Sequence, residues 1–128
     1  MTGPTETTAA PVTSTGLAAN LAGALAYLLG PITGIAFLVL EKENRFVRFH
    51  AAQSIAVGIL LIVASIALSI LSGILAVVPV LGWIAALLAG LAFGLLTFVL
   101  WVMLMWRAWN GREWEVPVAG GIARSMAR

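Results

Sequence analysis

Residues 41–50 read EKENRFVRFH: Glu41, Lys42, Glu43, Asn44, Arg45, Phe46, Val47, Arg48, Phe49, His50. The five charged side chains in this stretch are the only ones between Leu17 and Trp106. The apolar runs on either side set the fold, and this polar segment divides them.

The whole chain is 62% hydrophobic and 9% charged, where soluble domains carry roughly 25% charged residues. A 128-residue body has too little interior to hide so many apolar side chains from water. The expected solvent is a bilayer, and the expected location is the cell membrane, as a multi-pass protein. Cysteine is absent, which removes disulfides, thiolate metal sites and a Cys nucleophile. Aspartate is absent and His50 is the only histidine. The net charge of +2 is read as orientation in a membrane, not as nucleic-acid binding.

Residues 1–16 (MTGPTETTAAPVTSTG) are rich in Thr, Ala and Pro and carry no Lys or Arg. They are expected as a disordered tail, retained because a signal peptide needs a basic start. Residues 17–40 form the first apolar run, long enough to cross a hydrocarbon core of about 30 Å as a helix. Gly30-Pro31 lies inside it and predicts a kink, since proline lacks the N–H for the preceding turn. Thr33 is placed to bond back to Leu29 or Gly30. The break reads either as exposed backbone on a pathway or as an ordinary membrane proline kink, and the kink is the preferred reading.

Asn44 is the expected cap of a helix whose first turns run through Arg45 to Gln53. His50, Gln53, Ser54 and Val57 share one side at helical spacing. The second span is expected over 51–78. Pro79 and Gly82 then predict a tight reversal, and the third span is expected over 84–106. Ala86, Gly90 and Gly94 make a small-residue ridge, expected to meet Ser65, Ser69 and Gly73. In the tail, 107–128, Pro117 is expected to open a short interfacial helix with Val118, Ile122 and Met126 on one side.

The fold expected from these runs is an all-α integral membrane protein with three transmembrane helices. Three crossings place all seven Lys and Arg side chains on one side, in the 41–50 loop and the tail. That distribution predicts the N-terminus out and the C-terminus in.

The same residues bound the chemistry. No catalytic residue, cofactor site or metal site is expected: acid, base and nucleophile do not gather, and spacings of metal ligands are missing. Ionisable groups deep in the spans, which a transport path would need, are also missing. The candidate contact site is Arg45, Arg48, His50 and Gln53, for a lipid headgroup or a partner protein. Against this, the arginines would only anchor topology while His50 and Gln53 satisfy a helix start.

LAYLLGPITGIAFLVLEKENRFVRFHAAQSI, followed by two apolar spans and AWNGREWEVPVAGGIAR, resembles a group of small uncharacterised prokaryotic membrane proteins. These are related to the chloroplast inner-envelope import subunit Tic-twenty. The most specific pieces are Arg45 to Gln53 and Asn110-Gly111 leading to Val116-Pro117. The resemblance covers Asn20 to Arg124 and implies an all-helical membrane protein without established activity. The chloroplast relative is associated with protein translocation and is drawn with four spans, against three expected here. The expected function is a non-enzymatic structural or complex subunit, with the bilayer and a homo-oligomer or membrane complex as partners. The alternative is a channel or translocation component active as an oligomer.

Overall fold

The computed structural model describes residues 13–127. Within them the chain forms five helices: α1 (Ala19–Leu25), α2 (Pro31–Leu40), α3 (Arg45–Leu75), α4 (Leu81–Trp109) and α5 (Ala119–Ala127). Most of the expected N-terminal tail, 1–12, and Arg128 lie outside the described residues.

The first apolar run is not a span. After Leu25 the chain unwinds through i→i+3 bonds, Tyr27 to Ala24, Leu28 to Leu25 and Gly30 to Tyr27. Gly30 then takes φ +64, and Pro31 opens α2 at its first position, where a missing N–H costs nothing. The expected kink is thus a full reversal. The two pieces, 7 and 10 residues, reach about 10 and 15 Å, too short to cross a bilayer core. Thr33 holds the turn: its hydroxyl donates to Ala26 O and Gly30 O and accepts from the N–H of Leu29.

Both ends of this hairpin come to the same end of the molecule. Ser14 bonds the Glu41 carboxylate, and Asn20 Nδ2 donates to Trp109 O at the end of α4. Two helices, not three, are long and apolar enough to cross a membrane among the described residues. The Ser14–Glu41 contact puts the N-terminal segment and the 41–50 loop at one end of the helices, where three parallel-packed spans would place them at opposite ends. We call that end the base and the Val77–Leu81 turn the tip.

Asn44 caps α3 as expected, accepting the N–H of Val47 at 3.1 Å. The helix runs unbroken for 31 residues, about 46 Å, and touches every other helix. Its two halves differ. From Val47 to Gly58 only Arg48 escapes full burial. Close approach is permitted by glycine: a Cβ on Gly34 of α2 would lie 2.8 Å from Ala51 O, and one on Gly58 2.7 Å from the Pro31 ring. Beyond Gly58, the covered positions of α3 narrow to one stripe. The half-buried positions there are Leu61, Ser65, Leu68, Ser72 and Leu75, against Ala86, Ala89, Phe93, Thr97 and Leu100. Alternating spacings of four and three make a coiled-coil seam.

Of the expected small-residue ridge, Ala86 and Ser65 lie in that seam, whereas Gly90, Gly94, Ser69 and Gly73 lie outside it. A Cβ on Gly73, Gly90 or Gly94 would meet nothing within 4 Å, and Ser69 faces outward. The tip sets the phase of α4, because Gly82 sits against the Leu75 backbone. With that register, leucines and Phe93 fill the seam and gain more dispersion contact than glycines would.

A four-residue device recurs. Pro79-Val80-Leu81-Gly82 opens α4 and Pro117-Val118-Ala119-Gly120 opens α5. In each, Val adopts positive φ (67 and 69) and the next N–H bonds the Pro carbonyl at 2.8 Å, a rare and strained γ-turn. In α5, Val118 is 72% and Ile122 44% exposed, Met126 is half-buried against Phe49 and Ala52, and Ala119 and Ala123 are fully buried. Small side chains face inward because α5 packs closely on Phe49 and Ala52 of α3.

Candidate functional site

His50 and Gln53 project from the encased half of α3, and both are fully buried. Buried polar groups must find partners or lose their hydration without return. Here they find them in the tail and in Tyr27.

The directions of the bonds follow from the carbonyls and N–H groups involved. The N–H of Val116 donates to Gln53 Oε1 at 2.9 Å, which fixes the amide orientation. Gln53 Nε2 then donates to Trp114 O at 2.9 Å and to Tyr27 Oη at 2.8 Å. His50 Nε2 lies 2.8 Å from Arg112 O; a carbonyl only accepts, so Nε2 carries the proton. Burial lowers the His50 pKa to about 4 and keeps the ring neutral, so Nδ1 is bare and Tyr27 Oη, 2.6 Å away, donates to it. The imidazole is neutral, in a single tautomer, with both nitrogens used. Edge-on rings of Tyr27, Phe46 and Phe49, at 5.4, 4.6 and 5.2 Å between centroids, enclose it.

This is a clasp. It binds the backbone of the tail at Arg112, Trp114 and Val116 to α3, and Tyr27 ties the N-terminal hairpin to the same point. Trp101 adds a bond from its indole N–H to Tyr27 O at 2.8 Å. Every donor and acceptor named is already engaged within the fold.

A second polar knot lies at the base. The buried Glu41 carboxylate accepts from the N–H groups of Ser14, Glu43 and Asn44 and from the Ser14 hydroxyl, at 2.9–3.3 Å. Burial alone would raise its pKa; the four donors outweigh that and hold it below the usual glutamate value. Arg48 spans the knot, donating to Leu38 O, Glu41 O and Ala127 O. It thereby caps the end of α2 and holds the end of α5.

The four residues expected as one contact site are therefore divided. His50 and Gln53 are interior, Arg48 is spent on carbonyls, and Arg45 alone is exposed. The sequence reading missed Tyr27, Glu41 and Ser14. Tyr27 carried a signal, as the only tyrosine, set within an apolar run. Glu41 carried none, since an acid beside Lys42 and Glu43 reads as solvated.

Arg124 joins the exposed face of the tail. It pairs with Glu113 and Glu115 at 2.7 Å each and lies 4.2 Å over the Phe49 ring. Bonding to Glu115 first, and to Glu113, raises its pKa above the ordinary arginine value. Between the Gly30-Pro31 turn and the long helices lies an apolar cavity of about 380 Å³, lined among others by Ser54, Gly58, Thr97 and Trp101.

Comparison with known proteins gives the family. Residues 6–123 match the model of the magnetosome magnetite crystal formation protein family. A UPF0132 membrane protein of Methanocaldococcus jannaschii is 44% identical over 91% of this chain and 94% of its own length. A second from that organism is 37% identical over 88% of this chain and 73% of its own length. One from Archaeoglobus fulgidus is 41% identical over 84% and 93%. No solved structure matches. With residues 6–123 matched by the family model, this chain belongs to the magnetosome magnetite crystal formation protein family, and it is similar to archaeal membrane proteins whose specific role is not characterised.

Proposed function

We propose that the chain is a two-span, non-enzymatic subunit of a membrane complex, with its base at the cytoplasmic face. The observation that carries this reading is the outer half of the α3–α4 hairpin. Ile62, Ile66, Ile70, Leu87, Leu91 and Leu95 are all about half or more exposed, and only the seam is covered. Such a surface calls for lipid or helices of another subunit. From Ile59 to Leu75 is seventeen residues, about 26 Å of helix, close to the thickness of a hydrocarbon core.

The described Lys and Arg residues, Lys42, Arg45, Arg48, Arg107, Arg112 and Arg124, all sit at the base. That asymmetry supports a cytoplasmic base. The open positions at Gly73, Gly90 and Gly94 support self-association, because small residues let helices approach closely in lipid. Crosslinking from a Gly90→Cys variant in native membranes tests it: a covalent dimer or hetero-complex is expected. A chain recovered only as uncrosslinked monomer would end the subunit reading.

A second reading, a channel or translocation component, draws on the likeness to Tic-twenty. It is favoured by the broken hairpin and the cavity at its turn, since irregular backbone at membrane depth is found where it is buried in protein or lines a cavity. Ion or peptide flux into liposomes holding this chain alone would establish it, and tight liposomes would remove it. The family description also names magnetite crystal formation. A mineral contact would use several free carboxylates; among the described residues Glu41 is buried and Glu113 and Glu115 are engaged by Arg124, which leaves only Glu43 exposed and outside an ion pair, so the subunit reading is preferred.

A further inference from the structure

The base carries two clusters of cationic side chains, and they are not equivalent. Around 42–48, Arg48 donates to three carbonyls through Nε and Nη1, and the concavity it lines with Lys42 and Arg45 is also lined by Glu43. The other cluster is at the end of α4. Met103, Trp106, Arg107 and Asn110 fall on one face at spacings of three and four, and Arg112 folds back beside them. Together they line a cleft of about 440 Å³.

The backbone beneath the cleft is fully capped. Asn110 Nδ2 donates to Trp106 O, the N–H of Arg112 to Arg107 O, and that of Gly111 to Ala108 O. The guanidinium groups are not needed for that task. Neither pairs with a carboxylate among the described residues, whose ion pairs both belong to Arg124. Arg107 lies 5.1 Å over the Trp114 ring, which fixes it by one flat side and leaves its N–H edge available.

The cleft has two chemistries in sequence. Its tip-ward wall is Met103 and the exposed Trp106; its outer wall is two arginines and an asparagine. Tryptophan at this level marks the membrane–water boundary. We infer that the cleft binds the phosphate of an anionic phospholipid, with an acyl chain descending along Met103 and Trp106. This rests on the membrane placement of the hairpin proposed above. Arg107 and Arg112 supply charge-assisted bonds to phosphate oxygens, and Asn110 lies beside them.

The test is native mass spectrometry of the detergent-solubilised chain with an equimolar mixture of phosphatidylglycerol and phosphatidylcholine of matched acyl chains. Phosphatidylglycerol adducts are expected to exceed phosphatidylcholine adducts at least threefold, a difference of about 0.7 kcal/mol at that ratio. R107Q and R112Q are each expected to lower the preference, and the double variant to abolish it, while R45Q keeps it. Inorganic phosphate in the millimolar range should not displace the lipid. Equal adducts on the unaltered chain would overturn the inference, as would loss of preference in R45Q. Displacement by inorganic phosphate would reassign the cleft to a free anion. A chain that stays in membranes yet shows no preference would refute the lipid site and leave the two-span reading standing.

Discussion

The inner and outer halves of α3 are one continuous helix in two unlike settings. Residues 45–58 are packed by α1, α2, α5 and α4 and carry His50, Gln53 and Ser54, each bonded. Residues 59–75 share a single seam with α4, and the serine bonds recorded there return to their own helix, Ser65 to Ile62 O and Ser69 to Ser65 O. The contrast teaches that apolar character alone does not decide burial. What decides it is the supply of neighbours able to approach, and the polar groups that pin them. The inner half is stabilised within the chain, whereas the outer half offers its surface to its surroundings.

The largest expected break in this contrast is Gln53→Leu. It strands Trp114 O, the N–H of Val116 and one acceptor site on Tyr27, each unmet group costing about 1–3 kcal/mol. A loss on the order of 3–5 kcal/mol is expected, read as lowered thermal stability in detergent and new tryptic cleavage after Arg112. An unchanged cleavage pattern would show that the clasp does not hold the tail.

Gly34→Ala tests the close approach that makes the inner half. A Cβ there lies 2.8 Å from the Ala51 carbonyl oxygen, a backbone atom that cannot swing aside. A destabilisation of about 1–3 kcal/mol is expected, measured by thermal unfolding. The counterpart in the outer half, Gly90→Ala, meets open space and should stabilise the isolated chain by about 0.5–1 kcal/mol through helix propensity. If Gly90→Ala instead weakens crosslinked assembly in membranes, a partner helix occupies that face.

The smallest effect concerns pH at the base. The Glu41 pKa is lowered in the folded state, so its contribution is full above the ordinary glutamate value of about 4.3. It is lost as pH falls through the depressed folded value. Proteolysis of the segment 13–16 is expected to accelerate only in that acid range, and Glu41→Gln should show the faster rate at neutral pH. Equal rates for both chains at neutral pH would separate Glu41 from that segment.

Much of the outer half was legible in the sequence. The long apolar runs, the Asn44 cap, the Pro79–Gly82 reversal and the charge asymmetry each rest on local chemistry. The reading failed where a decision depended on contacts distant in sequence. Hydropathy over 17–40 averages composition and passes over Gly30 at positive φ with Pro31 at a helix start, which together turn a span into a hairpin. The Gly90–Gly94 ridge met the rule for close packing, but the seam register is fixed at Gly82. His50 looked like a surface contact because nothing local shows that Tyr27 and the backbone at Arg112 return to it. The repeated Pro-Val-x-Gly was visible in the letters, and its shared γ-turn needed coordinates.

The central claim is that the chain crosses twice and returns both ends to one face. Because cysteine is absent, single-cysteine variants report position cleanly. Thr15→Cys and Val80→Cys chains should be exposed, on intact cells, to a membrane-impermeant maleimide, with permeabilised cells as the reference. Label is expected at position 80 without permeabilisation and at position 15 only after it. Label at both position 15 and position 80 on intact cells would put an odd number of crossings between the N-terminal segment and the 41–50 loop and contradict the account.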